Sequence, residues 1–108
     1  MLSALLLRLS LAYGELGDLV SSAEFEMENL KEQYDYETTK TITQLTKADK
    51  SVASSQLEAK LLHRDKYKTY LEAKYSHTIV RLKRQAVEKI IDASRSRLSL
   101  IKGDIKNG

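Results

Sequence analysis

Hydrophobic residues in the first third of the chain recur in alternating steps of four and three. The positions are Leu2, Leu6, Leu9, Tyr13, Leu16, Val20, Ala23, Met27, Leu30 and Tyr34. Such a seven-residue repeat is typical of the seam of a left-handed coiled coil. Polar residues take the next seam positions. The pattern therefore predicts a helix over about residues 2–37 whose apolar seam ends at Tyr34.

The beginning of this helix is apolar around most of its circumference. Leu5, Leu7 and Leu11 widen the stripe beyond the seam, and one partner helix cannot cover so wide a face. The sequence therefore predicts a homo-oligomer built through the N-terminal helix. The seam residues expected to carry the contact are Leu2, Leu6, Leu9, Tyr13, Leu16 and Val20.

A polar segment follows, and it is the one candidate break in the chain. Residues 38–50 contain five threonines, whose β-branched side chains lower helix propensity. Thr46 followed three residues later by Asp49 resembles a capping box. We expect a joint at about 38–50, with an uninterrupted helix as the alternative, and a second helix over about 51–101 that ends at a Gly103 cap. The expected fold is all-α: a single domain, residues 1–108, forming a long, coiled-coil-like two-helix hairpin.

Apolar residues of the second helix repeat every eleven residues. The two series are Leu71, Leu82 and Ala93, and Ile79, Ile90 and Ile101. A period of roughly 3.67 residues favours a nearly straight or slightly right-handed helix contact. The second helix is also longer than the first, so part of it requires another chain as its partner.

Charge is divided between the two halves of the chain. Residues 1–54 hold 5 Lys and Arg against 9 Asp and Glu, and residues 55–108 hold 13 against 6. Seven residues of the basic half follow one another in steps of three and four, which places them on one helix face. This basic-aromatic stripe consists of His63, Lys66, Tyr70, Lys74, His77, Arg81 and Arg84.

The basic-aromatic stripe suits a polyanion that also offers flat surfaces for stacking. Cationic side chains contact phosphates, and aromatic rings stack on unpaired bases, so single-stranded nucleic acid is the candidate ligand. Phosphate contacts are expected from Lys66, Lys74, Arg81 and Arg84, and stacking from Tyr70 and His77. The alternative is an ordinary solvated helix face on a structural or scaffolding coiled coil that binds another protein.

Composition excludes several other classes of function. The chain has no Cys and only two His, and no nucleophile–base set, phosphate-binding loop or metal-ligand spacing is present. We therefore expect no enzyme activity, no cofactor and no metal. Arg8 lies inside the leucine-rich start, where a signal peptide would be uncharged, and no apolar run reaches the length of a membrane span. A cytoplasmic protein without a membrane partner is expected.

The order of segments resembles the small phage recombination mediators of the UvsY type. An early helical arm with Tyr and acidic residues, Tyr13–Tyr36, precedes a polar joint. After the joint come the segment Ala48–Val52, a Tyr-containing helix over Asp65–Tyr75 and a closing segment Ile91–Arg95. The resemblance covers about residues 10–105. It implies an oligomeric, helical accessory protein that binds single-stranded DNA and helps a recombinase to displace a single-strand-binding protein, in the cytoplasm of a host cell. The leucine-rich start has no counterpart in that family.

Overall fold

The computed structural model describes the backbone of residues 2–107 and the side chains of residues 3–103. The chain forms three helices: α1 spans Leu2–Lys47, α2 spans Val52–Leu62 and α3 spans Arg64–Asn107. No strand occurs within residues 2–107, which confirms the all-α class. The chain divides into two compact units, one made of Met1–Ser21 with Thr78–Gly108 and the other of Ser22–His77.

The chain reverses in the second unit at a tight turn after α1. The amide of Asp49 donates to the carbonyl of Thr46 and the amide of Lys50 to that of Leu45, both at 3.2 Å. These two bonds form a Schellman motif, and Asp49 takes its left-handed position with a φ of 65°. Ser51 then caps α2, because its hydroxyl accepts a 3.2 Å hydrogen bond from the Ser54 amide. This reversal confirms the predicted hairpin within this unit.

The threonine-rich segment is helical up to Lys47, so the break at residues 48–51 is shorter than the predicted joint at 38–50. The hydroxyls of Thr41, Thr43 and Thr46 donate to the carbonyls four residues earlier, at 2.8–2.9 Å. Such bonds satisfy the hydroxyls without ending the helix. Thr46 therefore lies inside α1, and the cap of α2 is Ser51 rather than a Thr46–Asp49 box.

The predicted second helix is interrupted at His63, which separates α2 from α3. His63 has φ −101° and ψ 18°, outside the helical region. Hydrogen bonding continues on both sides, since its amide donates to the Ala59 carbonyl and its own carbonyl accepts from the Tyr67 amide. At the other end, α3 passes through Gly103 without a left-handed φ and continues to Asn107, so the expected cap at Gly103 was wrong.

The packed face of α3 follows a seven-residue repeat rather than the predicted eleven-residue one. Its buried and half-buried positions include Tyr70, Ala73, His77, Val80, Arg84, Val87, Ile91, Ser94 and Leu98. Of the eleven-residue series, only Ile79 is half-buried; Leu71, Leu82, Ala93, Ile90 and Ile101 are exposed. The expected face of packing was therefore wrong for the contact within the chain, because the packed face combines apolar residues such as Val80, Ile91 and Leu98 with polar and aromatic ones.

Very little apolar surface is fully buried. Among the residues with described side chains, Ala59 and Ile91 are the buried hydrophobic ones, and Thr38 and Ser55 are the buried polar ones. Ser55 and Ala59 lie four residues apart on one face of α2 and are fully inaccessible to solvent. Small side chains at these positions allow a close approach of the helix backbones in the second unit.

Candidate nucleic-acid interface

Five of the seven residues in the basic-aromatic stripe also lie on the packed face of the basic half, whose positions repeat every seven residues. His63, Tyr70, His77 and Arg84 are half-buried, and Lys66 is exposed but lies beside an α1 carboxylate. The two remaining members, Lys74 and Arg81, depart from the seam and are exposed; Lys74 is nevertheless engaged in a contact. The stripe is therefore divided between packing inside the chain and an exposed edge of α3.

Arg84 is the clearest example of a predicted phosphate ligand used inside the chain. In the first unit its Cζ lies 4.0 Å from the centroid of the Tyr13 ring. Its Nε donates a 3.3 Å hydrogen bond to the Tyr13 carbonyl oxygen. Gly17 leaves room for this arrangement, since a Cβ there would come within 2.8 Å of Arg84 Nη2. Gly17, which follows the seam residue Leu16, thus permits a close approach of the Arg84 side chain.

Two further members of the stripe contact α1 in the second unit. His63 Nε2 lies 2.7 Å from the Thr41 hydroxyl oxygen, and Lys66 Nζ lies 3.9 Å from a Glu37 carboxylate oxygen. The second pair is about half exposed to solvent and contributes little stability. These contacts show that the α1 seam continues beyond Tyr34 with polar residues, because Glu37 and Thr41 occupy its next two positions.

The second unit contains a cluster of three tyrosines, of which only Tyr70 belongs to the basic-aromatic stripe. The ring centroids of Tyr34 and Tyr67 are 5.0 Å apart with the planes at 43°. Those of Tyr67 and Tyr70 are 6.0 Å apart at 40°. Both spacings fall within the range of favourable aromatic pairs. Tyr67 remains 42% exposed, so part of its ring is available to a ligand.

An open groove of about 350 Å³ lies against this cluster, and we name it the tyrosine groove. It is lined by Tyr34, Lys60, Arg64 and Tyr67. Its volume is near the lower end of the roughly 300–1,000 Å³ typical of small-molecule sites. Two aromatic rings and two cationic side chains thus line one concave surface, which combines a stacking platform with phosphate ligands.

The sequence contains a spacing pattern that indicates part of this groove, but the pattern spans the boundary between two helices. Lys60, Arg64 and Tyr67 follow one another in steps of four and three, so they would share a face on a continuous helix. Lys60 ends α2 and Arg64 begins α3, with His63 between them. Tyr34 belongs to the apolar seam of α1, and the spacing of residues along the chain does not predict that it lies next to Tyr67.

The predicted oligomer seam is already partly covered within one chain. Leu6, Leu9, Tyr13, Leu16 and Val20 are all half-buried, and the side chain of Leu2 lies outside the described residues. The flanking residues Leu5, Leu7 and Leu11 remain exposed. The apolar surface free for another chain is therefore different from the seam that the sequence indicated.

Metal chemistry and membrane insertion find no support in the part of the chain that the structure describes. No group of three or more His, Asp or Glu side chains converges there as a metal site would require. None of the helices, over their described lengths, combines the length and apolarity needed to cross a bilayer.

Comparison with protein families, with curated proteins and with solved structures gives no match for this chain.

Proposed function

We propose that the protein is an oligomeric accessory protein that binds single-stranded DNA, with the tyrosine groove as its contact site. The observation that carries the proposal is the lining of this groove: the rings of Tyr34 and Tyr67 lie beside the cations Lys60 and Arg64. Aromatic stacking and phosphate contact are the two interactions from which sequence-independent single-strand binding is built.

The arrangement favours a single strand over a duplex. Stacking on Tyr67 requires a base whose face is free, and the bases of a duplex are already stacked on their neighbours. The groove is open to solvent and its two cations flank the rings, so a flexible backbone can enter while its phosphates stay near Lys60 and Arg64. Contacts of this kind read the backbone and the base face, and we therefore expect little sequence preference.

The basic surface of α3 provides a second, longer-range contribution. This helix carries 12 Lys and Arg against 5 Asp and Glu, and among its cations Arg81 is exposed. Such charge raises the local concentration of a polyanion and accelerates its association. The resemblance to recombination mediators supplies the remaining part of the proposal, namely assistance in loading a recombinase on DNA held by a single-strand-binding protein.

Fluorescence anisotropy with labelled oligonucleotides tests the proposal directly. A single strand of mixed sequence, the same strand in a duplex and an RNA copy are titrated with the full chain at two salt concentrations. We expect the single-stranded DNA to bind more tightly than the duplex, with an affinity that falls as salt rises because phosphate contacts release counterions. Absence of binding to every oligonucleotide at low salt would overturn the proposal.

A scaffolding role, in which the partner is another protein, is the second candidate. It is favoured by the number of large apolar side chains that the chain leaves in solvent, among them Phe25 at 74% and Leu62 at 69% exposure. A failed oligonucleotide titration, together with a well-folded helical protein by circular dichroism, would favour this candidate.

A further inference from the structure

The eleven-residue repeat of α3 forms an exposed apolar face in the first unit. Leu82 is 53% exposed and Ile90 is 50% exposed, and Ala86 and Ala93 lie between and beyond them, also exposed. Leu82 precedes Arg84 by two residues, which places it on the side of α3 turned away from the Tyr13 contact. We name this the α3 outer face.

A second apolar face lies on α1 in the same unit. Leu7 and Leu11 are one helical turn apart and 63% and 61% exposed. Leu11 lies two residues from both Leu9 and Tyr13, so it points away from the seam. Gly14 continues this face with open space around it. We name Leu7, Leu11 and Gly14 the α1 outer face.

The charges beside the two outer faces indicate whether two like faces or two different faces meet in the contact between copies. Exposed Lys83 and Lys89 lie beside the α3 outer face, and residues 78–107 hold 8 Lys and Arg against 3 Asp and Glu, a net charge of +5. Two such faces would repel each other. The α1 outer face is followed by exposed Glu15 and Asp18, and residues 2–21 hold one cation, the exposed Arg8, against these two carboxylates, a net charge of −1. Opposite charge therefore favours contact between the α1 outer face of one copy and the α3 outer face of another.

We propose that the protein assembles head to tail, with the α1 outer face of each copy docked on the α3 outer face of the next. The contact is heterologous, because two different surfaces of the same chain meet. Such a contact repeats from copy to copy and ends in a closed ring or a filament. This inference goes beyond nucleic-acid binding and does not depend on it.

Cross-linking distinguishes this assembly from the alternatives, because the chain has no cysteine of its own. The variants are Gly14→Cys, Ala86→Cys and the chain that carries both, each treated with a flexible bis-maleimide in the absence of DNA. Both sites are exposed, so the substitutions leave the contacts within the chain intact. We expect a ladder of multimers from the double variant and monomer from each single variant.

Each other outcome overturns the proposal. Cross-linked dimer from Ala86→Cys alone would mean that two α3 outer faces meet, and dimer from Gly14→Cys alone would mean the same for α1. Monomer from all three variants would mean that the outer faces do not meet in solution. Since no oligonucleotide is present, these results are independent of whether the tyrosine groove binds DNA.

Sedimentation velocity provides a second test on the full chain. Leu82→Asp combined with Ile90→Asp introduces two carboxylates into the proposed contact, where burial of a charge is unfavourable. We expect the oligomer to become a monomer at micromolar concentration. The matched control is Leu57→Asp, at a residue of α2 that is 64% exposed and lies in the other unit; it should leave the mass unchanged. A monomeric unmodified protein, or equal dissociation by the control, would contradict the assembly.

Discussion

Arg84 of α3 and Tyr13 of α1 are joined by two interactions. The guanidinium carbon lies 4.0 Å from the centre of the tyrosine ring, and Nε donates to the Tyr13 carbonyl oxygen at 3.3 Å. A cation–π contact contributes roughly 0.5–2 kcal/mol, and a hydrogen bond from a charged group contributes roughly 1.5–3 kcal/mol. The guanidinium of Arg84 therefore stabilises the first unit.

Alanine substitutions at the two glycines of α1 test how much the contact between Arg84 and Tyr13 contributes to stability. Gly14 has open space around it, and Gly17 faces the guanidinium of Arg84. Alanine favours a helix over glycine by roughly 1 kcal/mol. We expect Gly14→Ala to raise the free energy of unfolding by about this amount in urea titrations. Gly17→Ala should raise it less or lower it, because the new Cβ displaces Arg84. Equal stabilisation by the two substitutions would mean that the Arg84 contact contributes nothing.

The left-handed residue after α1 gives a second prediction. Asp49 has a φ of 65°, where a side chain is unfavourable and glycine is not. Asp49→Gly should leave the free energy of unfolding unchanged or increase it by up to about 1 kcal/mol, and Asp49→Ala should decrease it by about 1 kcal/mol. The opposite order of the two variants in thermal or urea unfolding would show that the turn does not keep this conformation.

Packing of α2 in the second unit provides a third prediction. Ala59 is fully buried, and Ala53 on the same helix is exposed. Ala59→Leu should destabilise the protein by roughly 1–3 kcal/mol because the larger side chain has no space, whereas Ala53→Leu should change stability by less than about 0.5 kcal/mol. Ser55→Ala should be neutral or stabilising, since the buried Ser55 hydroxyl has no hydrogen-bond partner. Urea unfolding monitored by circular dichroism measures all three.

The hairpin could be predicted from the sequence, and the orientation of its second arm could not. The heptad from Leu2 to Tyr34 and the polar segment after it predict two arms and a turn. His63, Tyr70 and Arg84 also follow heptad spacing, but they are polar or aromatic and resemble a ligand-binding stripe. Their apolar stems and rings pack inside the chain while the more hydrophobic Leu82 and Ile90 stay in solvent. Apolar residues such as Val80, Ile91 and Leu98 also lie on the packed face, so hydrophobicity alone does not distinguish the packed face of α3 from the exposed one.

The tyrosine groove required the structure because its members come from three helices. Tyr34 lies on α1, Lys60 on α2, and Arg64 and Tyr67 on α3. Its position depends on the break at His63, for which the residues around it give no signal: neither Gly nor Pro is nearby. Once the register of the hairpin is known, the pairing of Tyr34 with Tyr67 follows.

Base stacking in the groove gives a fourth prediction. Tyr67→Leu should weaken binding of single-stranded DNA by about 1–3 kcal/mol, while Tyr67→Phe retains the ring and should preserve the affinity. Tyr36→Leu is the matched control, because Tyr36 is 66% exposed and does not line the groove. Anisotropy titrations at one salt concentration give the three affinities. Equal loss for Tyr36→Leu and Tyr67→Leu would place stacking outside the groove.

The salt dependence of single-strand affinity tests most directly whether the tyrosine groove, rather than the packed part of the stripe, contacts the phosphates. Three proteins are compared: the unmodified chain, Lys60→Gln with Arg64→Gln, and Arg84→Gln. We expect the slope of log affinity against log salt to become shallower by about 1.4 for the groove variant, roughly 0.7 for each lost phosphate contact. Arg84→Gln should leave the slope unchanged, because the Arg84 guanidinium packs on Tyr13 and does not line the groove. A shallower slope for Arg84→Gln and none for the groove variant would contradict the proposed site.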